Sequence, residues 1–321
     1  VRTTVARRTS AGQRPPPLDN PQSGRRRRRR RRTAWLVPYL LLAPAIAFFV
    51  TVMLFPIGKA IQVSLYEWSP IPDAQNTFLG AANYTRALAD ADFGRAVINA
   101  IVYMLVTVPG QIAIGLVVAL LLNARLPGRT LFRVLFYLPV VTSWVVVSLL
   151  FRYLFANEGA LNWLLVDGLG LSAVGWLDSR WTAMVVFCAL GIWKGVGWTA
   201  VILLAGLQGV PAEQLEAAAV DGAGYLRRLW HVTLPALRRT LLFVTVLLGI
   251  GGFQAFIQVL LLTDGGPAGQ TEMPLTYLYK QAFKFLDFGY GSALAVLMTV
   301  VVLIFSISQT AMFNRLDRGN S

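Results

Sequence analysis

The chain has 321 residues, of which 56% are hydrophobic and 14% charged, and its formal net charge is +14. Soluble domains usually carry about 25% charged residues, so this composition argues against a water-soluble enzyme and indicates an integral membrane protein. One cysteine and one histidine exclude a disulfide framework and a Cys/His zinc site.

The first predicted element is a basic tail at residues 1–33. It holds twelve arginines, eight of them in the run 25–32, against the single acid Asp19. Such a segment cannot bury apolar surface, so we expect it to be disordered. Its place directly before an apolar stretch is typical of a cytoplasmic tail that meets anionic lipid. Electrostatic binding of nucleic acid is the alternative, although nothing outside the tail supports it.

Apolar stretches of membrane-spanning length follow the tail. A helix needs about 20 apolar residues to cross about 30 Å of hydrocarbon. The stretches close to or above this length are 36–58, 96–124, 134–151, 181–206, 240–263 and 288–314. Only the fourth contains a charged residue, Lys194. The sequence therefore predicts an all-α integral membrane protein, in which residues 34–314 form one six-helix domain and residues 315–321 form a cytoplasmic tail.

The basic residues between these spans lie mostly on one side. The segments 1–33, 125–133, 207–239 and 315–321 hold 21 lysines and arginines, whereas the segments on the opposite side hold five. Cytoplasmic loops of membrane proteins carry an excess of lysine and arginine. Both termini and the loop 207–239 are therefore predicted to be cytoplasmic.

The loop 207–239 is predicted to form two helices on the cytoplasmic face. Pro211 suits the first turn of a helix, and Gly222 can adopt the positive φ that ends one. A second short helix is expected over 224–232, and Pro235 precedes the next span. The alternative is a solvated connector that has no partner.

Eight residues of this loop form a recognisable pattern. They are Glu216, Ala217, Ala218, Asp221, Gly222, Ala223, Leu234 and Pro235. The pattern resembles the EAA loop of permeases from binding-protein-dependent ABC importers. The resemblance covers roughly residues 36–312, includes Trp193-Lys194 and the segment 263–267, and is greatest to the MalF/UgpA-like subunit of sugar importers. The chain departs from the family at Arg239, where many relatives carry proline, and in its short first outer loop.

This resemblance implies a type I ABC importer permease fold that passes several times through the cytoplasmic (inner) membrane. It also implies the partners, which are a second homologous permease, an ABC ATPase dimer docked on the EAA loop, an extracytoplasmic binding protein and the sugar itself. The chain has no GxxxxGK[ST] run, so it lacks a phosphate-cradling loop, and the resemblance assigns ATP and Mg²⁺ to the ATPase. We therefore expect a transport subunit with no cofactor and no enzymatic activity of its own.

Polar and aromatic residues within the spans are the candidates for substrate contact. The candidates are Phe253, Gln254, Phe256 and Gln258 in span five, Lys194 in span four, and Ser306 and Gln309 in span six. The two amides of span five are four residues apart and are predicted to share one helix face. Amides and aromatic rings are the groups that suit a sugar. The alternatives are hydrogen bonds between helices for the amides and a backbone carbonyl partner for the lysine.

The predicted function is ATP-driven import of a sugar, expected to be a di- or oligosaccharide, although a monosaccharide or a glycerol phosphate would also suit this composition. A stand-alone secondary carrier or channel for a small polar solute is the alternative. It would need coupling-ion carboxylates in the spans, which contain no acid. An intramembrane enzyme would need a catalytic constellation, and the single histidine, His231, lies in the loop.

Overall fold

The computed structural model describes residues 36–70, 75–124 and 128–318. The predicted tail at 1–33 and the last residues, 319–321, lie outside these described residues. Most of the described chain is helical, with one short two-stranded hairpin. The all-helical class expected from composition is therefore confirmed.

The first helical stretch is apolar and follows the predicted first span. It consists of α1 (Leu36–Phe49), a π-helical turn (Val50–Leu54) and α2 (Phe55–Val63). The part from Pro38 to Val63 is 26 residues long and apolar enough to cross a membrane. Neither α1 nor α2 carries an acidic residue in its first turn.

A hairpin and a short helix precede the second long helix. β1 (Tyr66–Glu67) pairs antiparallel with β2 (Thr77–Phe78), and α3 (Ala82–Ala89) follows. α4 (Ala91–Asn123) begins after Asp90, whose carboxylate accepts hydrogen bonds from two backbone N–H groups of the first turn. An aspartate at this position satisfies donors that the helix itself cannot, so it determines where α4 begins.

The third predicted span is bent. α5 (Arg129–Val141) and α6 (Trp144–Leu154) are separated by two residues and meet at an angle of 94°. The predicted third span, 134–151, is therefore a bent pair of helices. Ser143 starts α6 because its hydroxyl accepts a hydrogen bond from the N–H of Val145, which favours a new helix over continuation of α5.

The fourth predicted span is an unbroken helix. A short helix, α7 (Ala160–Trp163), and a π-helical turn (Leu164–Gly168) precede it. α8 (Arg180–Gln208) then covers 29 residues and is capped by Ser179, whose hydroxyl accepts from an N–H in the first turn. The prediction of a span over 181–206 is confirmed to within two residues at each end.

Two helices follow α8, and the second continues into the next span. They are α9 (Ala212–Val220) and α10 (Tyr225–Arg228), after which a π-helical turn (Leu229–Thr233) leads into α11 (Leu234–Phe253). The stretch Tyr225–Phe253 is one helix long enough to cross a membrane. The second loop helix expected over 224–232 is present but is continuous with the next span. Pro235 lies in the first turn of α11, where its missing N–H is not needed.

The fifth predicted span also ends earlier than expected. α11 stops at Phe253, and a separate helix, α12 (Ile257–Leu262), packs against α6. A continuous helix over 240–263 is therefore wrong. The chain ends with α13 (Pro274–Tyr279), a π-helical turn (Lys280–Lys284) and α14 (Phe288–Arg318).

The core lies where α4 and α8 pack along each other, with α11 against both. Side chains of α8 such as Phe187, Leu190 and Leu203 are fully buried there. Within the described ranges, five helices are long and apolar enough to cross a membrane, and the number rises to six if the bent α5–α6 pair forms one span. The molecule is therefore an integral membrane protein.

Candidate substrate cavity and coupling loop

The loop after α8 forms the helix–turn–helix that its sequence predicts. Gly222 has a φ of +77° directly after α9. Its N–H donates to the carbonyl of Ala219 at 3.0 Å, and the N–H of Ala223 donates to that of Ala218 at 2.9 Å. This pair of bonds is a Schellman motif, in which a left-handed glycine ends a helix and satisfies its last carbonyls. Gly222 thus determines the angle at which the chain leaves α9.

Four large apolar side chains of this loop are exposed in the described chain. Val220 is 88% exposed and Trp230 66% exposed, and Leu226 and Tyr225 are exposed beside them. Large apolar side chains clustered on a polar loop are typical of a protein–protein contact. The alanines of the EAA pattern add little bulk, so a partner can approach the α9 backbone closely.

A cavity of about 410 Å³ lies within the membrane-spanning region. It is lined by α4, the α5–α6 bend, α8, α11 and α12. Its lining residues are Tyr103, Thr107, Gln111, Val140, Trp144, Gly191, Lys194, Gly195, Trp198, Leu247, Leu248, Gly251, Gly252 and Gln258. The wall thus combines two indole rings with amide and hydroxyl groups, in a lining that contains no acid.

Two amides supply polar groups to this cavity. Gln258 is 5% exposed and hydrogen-bonds the hydroxyl of Tyr103. Gln111 is also buried, and its Oε1 has no hydrogen-bond partner among the described residues. Gly195 leaves room for this amide, because a Cβ at that position would collide with Oε1. An unpartnered buried acceptor beside a cavity is available to a hydroxyl of a bound molecule.

Lys194 lies on the cavity wall but is already satisfied by the backbone. Its Nζ donates to the carbonyl of Pro139 at 2.7 Å and to that of Thr142 at 2.6 Å. The same ammonium lies 4.9 Å from the ring centroid of Trp144. These carbonyls are the ones left free where α5 ends, so the lysine stabilises the α5–α6 bend. The carbonyl-pairing interpretation of this residue is confirmed.

The remaining candidates from the sequence lie outside the cavity. Gln254 is exposed at the end of α11, so it shares no helix face with Gln258 and that prediction is wrong. Phe253 is buried against Phe305 with ring centroids 5.5 Å apart, and Phe256 packs on Tyr279 at 5.4 Å.

The candidates of span six are on α14. Ser306 and Gln309 are half-buried and do not line the cavity. A Cβ added to Gly249 of α11 would lie 3.5 Å from the amide nitrogen of Gln309, which places this side chain between two helices. Of the seven candidates, the structure thus brings only Lys194 and Gln258 together at the cavity.

Several lining residues were not among the candidates from the sequence. They are Tyr103, Thr107 and Gln111 of α4 and the indoles Trp144 and Trp198. Gln111 is an amide within an apolar stretch, the same signal that singled out Gln258, and could have been found. The two indoles gave no such signal, because tryptophan in a span is also common at membrane boundaries and in helix packing.

A polar network away from the cavity joins the start of α4 to α13 and α14. The carboxylate of Asp90 accepts hydrogen bonds from the hydroxyls of Tyr277 and Tyr290, both at 2.5 Å. Burial raises the pKa of Asp90, but the bonds from these two hydroxyls and from two backbone N–H groups lower it more, so its pKa lies below the usual value. The network therefore favours a charged Asp90 and ties three helix ends together.

The described residues include no group of three or more His, Cys, Asp or Glu side chains that could hold a metal ion. Their one free cysteine, Cys188, is buried within α8. The polar chemistry of the cavity is therefore that of amides, hydroxyls, indoles and one lysine.

Comparison with known proteins places these features in a family. Residues 111–320 match the family described as binding-protein-dependent transport system inner membrane component. YurN of Bacillus subtilis (strain 168), a probable ABC transporter permease protein, is 33% identical over 282 residues, which are 87% of this chain and 96% of that protein. The arabinooligosaccharides transport system permease protein AraP of Halalkalibacterium halodurans is 32% identical over 292 residues, 88% of this chain and 90% of that one.

A solved structure shares the fold. A chain in the crystal structure of a bacterial alginate ABC transporter, in complex with an alginate pentasaccharide-bound periplasmic protein, matches with a TM-score of 0.76 at 21% identity. The match covers 90% of this chain and 97% of that chain. The chain described here therefore belongs to the family of binding-protein-dependent transport system inner membrane components, the permeases of ABC transporters.

Proposed function

We propose that this chain is the permease subunit of an ATP-driven importer and that a sugar passes through the cavity between α4, α8 and α11. The observation that carries this proposal is the lining itself. Amide groups of Gln111 and Gln258 face the same space as the indoles of Trp144 and Trp198. Sugar hydroxyls hydrogen-bond to amides, and the apolar faces of sugar rings stack on aromatic side chains.

The sugar is expected to be a di- or oligosaccharide. The name of AraP states that this relative belongs to a transport system for arabinooligosaccharides. The cavity holds one cation, Lys194, and its ammonium is already bound to backbone carbonyls. A phosphorylated substrate would therefore find no free positive charge among the lining residues, which favours a neutral sugar.

Energy enters through the loop that follows α8. Its exposed apolar side chains and the alanines of α9 fit a groove on a separate ATPase, which holds ATP and Mg²⁺. The residues assigned to this coupling are Glu216, Ala217, Ala218, Asp221, Gly222, Ala223, Leu234 and Pro235. Closure of two ATPase subunits on ATP would move this loop and, through the continuous helix Tyr225–Phe253, the α11 wall of the cavity.

The proposed topology has six spans, with the bent α5–α6 pair as the third. Both termini and loop 207–239 are then cytoplasmic, in agreement with the excess of lysine and arginine on that side. A second permease completes the translocation path, and an extracytoplasmic binding protein delivers the sugar on the opposite face, consistent with the family description and with the periplasmic protein in the alginate transporter structure.

The experiment is purification of the chain from its native membrane, identification of co-purifying subunits by mass spectrometry, and reconstitution of the complex in proteoliposomes. We expect an ATPase, a second permease and a binding protein, and we expect uptake of the sugar carried by that binding protein only when ATP is supplied to the ATPase side. Uptake driven by an ion gradient in the absence of ATP would support a secondary carrier and contradict the proposal.

A further inference from the structure

A second hollow lies outside the cavity, in the groove between α5 and α8. Its volume is about 530 Å³, and no part of the proposed transport mechanism uses it. Small residues of α8 such as Ala205 create the space, and Val201 and Tyr137 form exposed apolar walls. Because both helices belong to membrane-spanning elements, this surface meets lipid or another protein.

The groove is polar at one end and apolar along the rest of its length. Gln208 is the last residue of α8, and Arg133 lies one turn inside the start of α5. Both line the groove. Gln208 lies at the end that adjoins loop 207–239, and Arg133 lies one turn from the contact of Phe136 with Gly197, on the side that faces this end. The opposite end is reached at Gly197, eleven residues from Gln208 along α8, which is about 16 Å at 1.5 Å per residue. A linear apolar slot that opens at a polar boundary has the shape of an acyl chain below its headgroup.

The charge at the polar end favours an anion. The Nε of Arg133 is buried and has no hydrogen-bond partner among the described residues, and the groove lining contains no acid to neutralise the guanidinium. An unpaired guanidinium donor is satisfied well by a phosphate oxygen, and basic pockets between spanning helices bind anionic lipid headgroups.

We propose that this groove is a binding site for an anionic phospholipid, with the phosphate on Arg133 and one acyl chain along α8 beside Val201 and Ala205. This proposal requires that α5 and α8 lie in the membrane, and it does not depend on which sugar is transported. A bound lipid would fill the gap that small residues leave between the two helices and so hold the first half of the bent span against α8.

Native mass spectrometry tests this site on the full-length chain, purified in mild detergent with the subunits that accompany it. Phosphatidylglycerol and phosphatidylcholine with identical dioleoyl chains are the probes. We expect the wild type to bind phosphatidylglycerol more tightly, and we expect Arg133→Gln to weaken that binding about fivefold, as loss of one basic contact implies. Arg227→Gln, which removes an exposed arginine of α10, should leave the preference unchanged.

A second variant keeps the test independent of the arginine. Ala205 is exposed to the groove, so Ala205→Phe should fold normally, fill the slot and lower the binding of both lipids. Retention of the phosphatidylglycerol preference by both variants would overturn the proposal. Efficient cross-linking of an Ala205→Cys variant to another protein chain in native membranes would also overturn it, because the groove would then be covered by protein.

Discussion

At the residue scale, the structure assigns Lys194 a structural task that its charge alone does not suggest. A lysine within a span is costly and is often functional. Here the ammonium is 55 residues away in sequence from the carbonyl of Pro139 that it contacts. It satisfies carbonyls that the end of α5 leaves free, and it contacts Trp144 across the bend. The ammonium of Lys194 thus replaces the helix hydrogen bonds that are missing at the 94° corner between α5 and α6.

Lys194→Met should destabilise the protein, because the apolar side chain leaves the carbonyls of Pro139 and Thr142 buried without a donor. Hydrogen bonds to charged groups contribute about 2 kcal/mol each, so we expect a loss of at least about 2 kcal/mol in the free energy of unfolding. Chemical unfolding in detergent measures it. Thr199→Val is the matched control on α8, since the buried Thr199 hydroxyl has no partner among the described residues and its loss should be neutral. Equal stability of both variants would contradict this role.

Gln111→Leu should weaken transport without harming the fold. Its Oε1 makes no hydrogen bond in the described chain, so removal breaks no protein contact at that atom but takes away an acceptor for a sugar hydroxyl. One hydrogen bond contributes about 1 kcal/mol, so we expect the KM for uptake to rise about fivefold. Gln254→Leu is the control, because that amide lies outside the cavity. A larger effect at Gln254 than at Gln111 would show that the sugar follows another route.

At the element scale, the C-terminal ends of α9 and α11 are central to the proposed mechanism. α9 ends in a Schellman turn at Gly222, which presents the loop to a partner. α11 ends at Phe253, so that α12 lies against α6 and places Gln258 in the cavity. Between these ends the chain from Tyr225 to Phe253 is one helix. In the proposed mechanism, a movement of the loop would be transmitted along this helix to the α11 wall of the cavity.

Gly222→Val should uncouple transport while leaving membrane insertion intact. A β-branched residue at a φ of +77° is strained by about 1–3 kcal/mol, although its Cβ would meet no other atom of the chain within 4 Å. The loop should therefore change direction and bind the ATPase less well, which a pull-down and a sugar-uptake assay would detect. Gly224→Ala is the control: Gly224 has a φ of −65° and equally open surroundings. Normal coupled uptake by Gly222→Val would rule out this turn as the transmission element.

At the scale of the whole molecule, the packing leaves many apolar residues of the spans exposed in the described chain. α4 and α8 share the core, whereas many apolar residues of α5, α6 and α14 remain exposed. In the proposed transporter, lipid and a second permease would cover this surface. The cavity would then be one subunit's share of a path that the pair of permeases encloses.

Labelling with a membrane-impermeant thiol reagent should report the proposed topology. In a Cys188→Ser background, Ala212→Cys on α9 should be shielded in intact cells and Ser172→Cys, between α7 and α8, should react. Both positions are exposed in the fold. A difference in their reaction with the reagent would therefore report the side of the membrane on which each cysteine lies. Reaction of Ala212→Cys from outside would reverse the orientation and remove the loop from the ATPase.

The sequence by itself determined the features that depend on local physics. Hydropathy over about 20 residues identifies helices that must satisfy their backbone in lipid, so α4, α8 and α14 were placed closely. A glycine after an alanine-rich helix is enough to predict the turn at Gly222, because only the backbone conformation matters there.

The tertiary structure decided what depends on contacts between distant segments. The corner between α5 and α6 requires the ammonium of Lys194 from another helix, and the end of α11 at Phe253 reflects the packing of α12 on α6. The cavity likewise combines Tyr103 and Gln258, which are far apart in the chain. The spans are similarly apolar along their length, so their composition does not indicate which polar side chains are in contact. Only the packing of the helices shows these contacts.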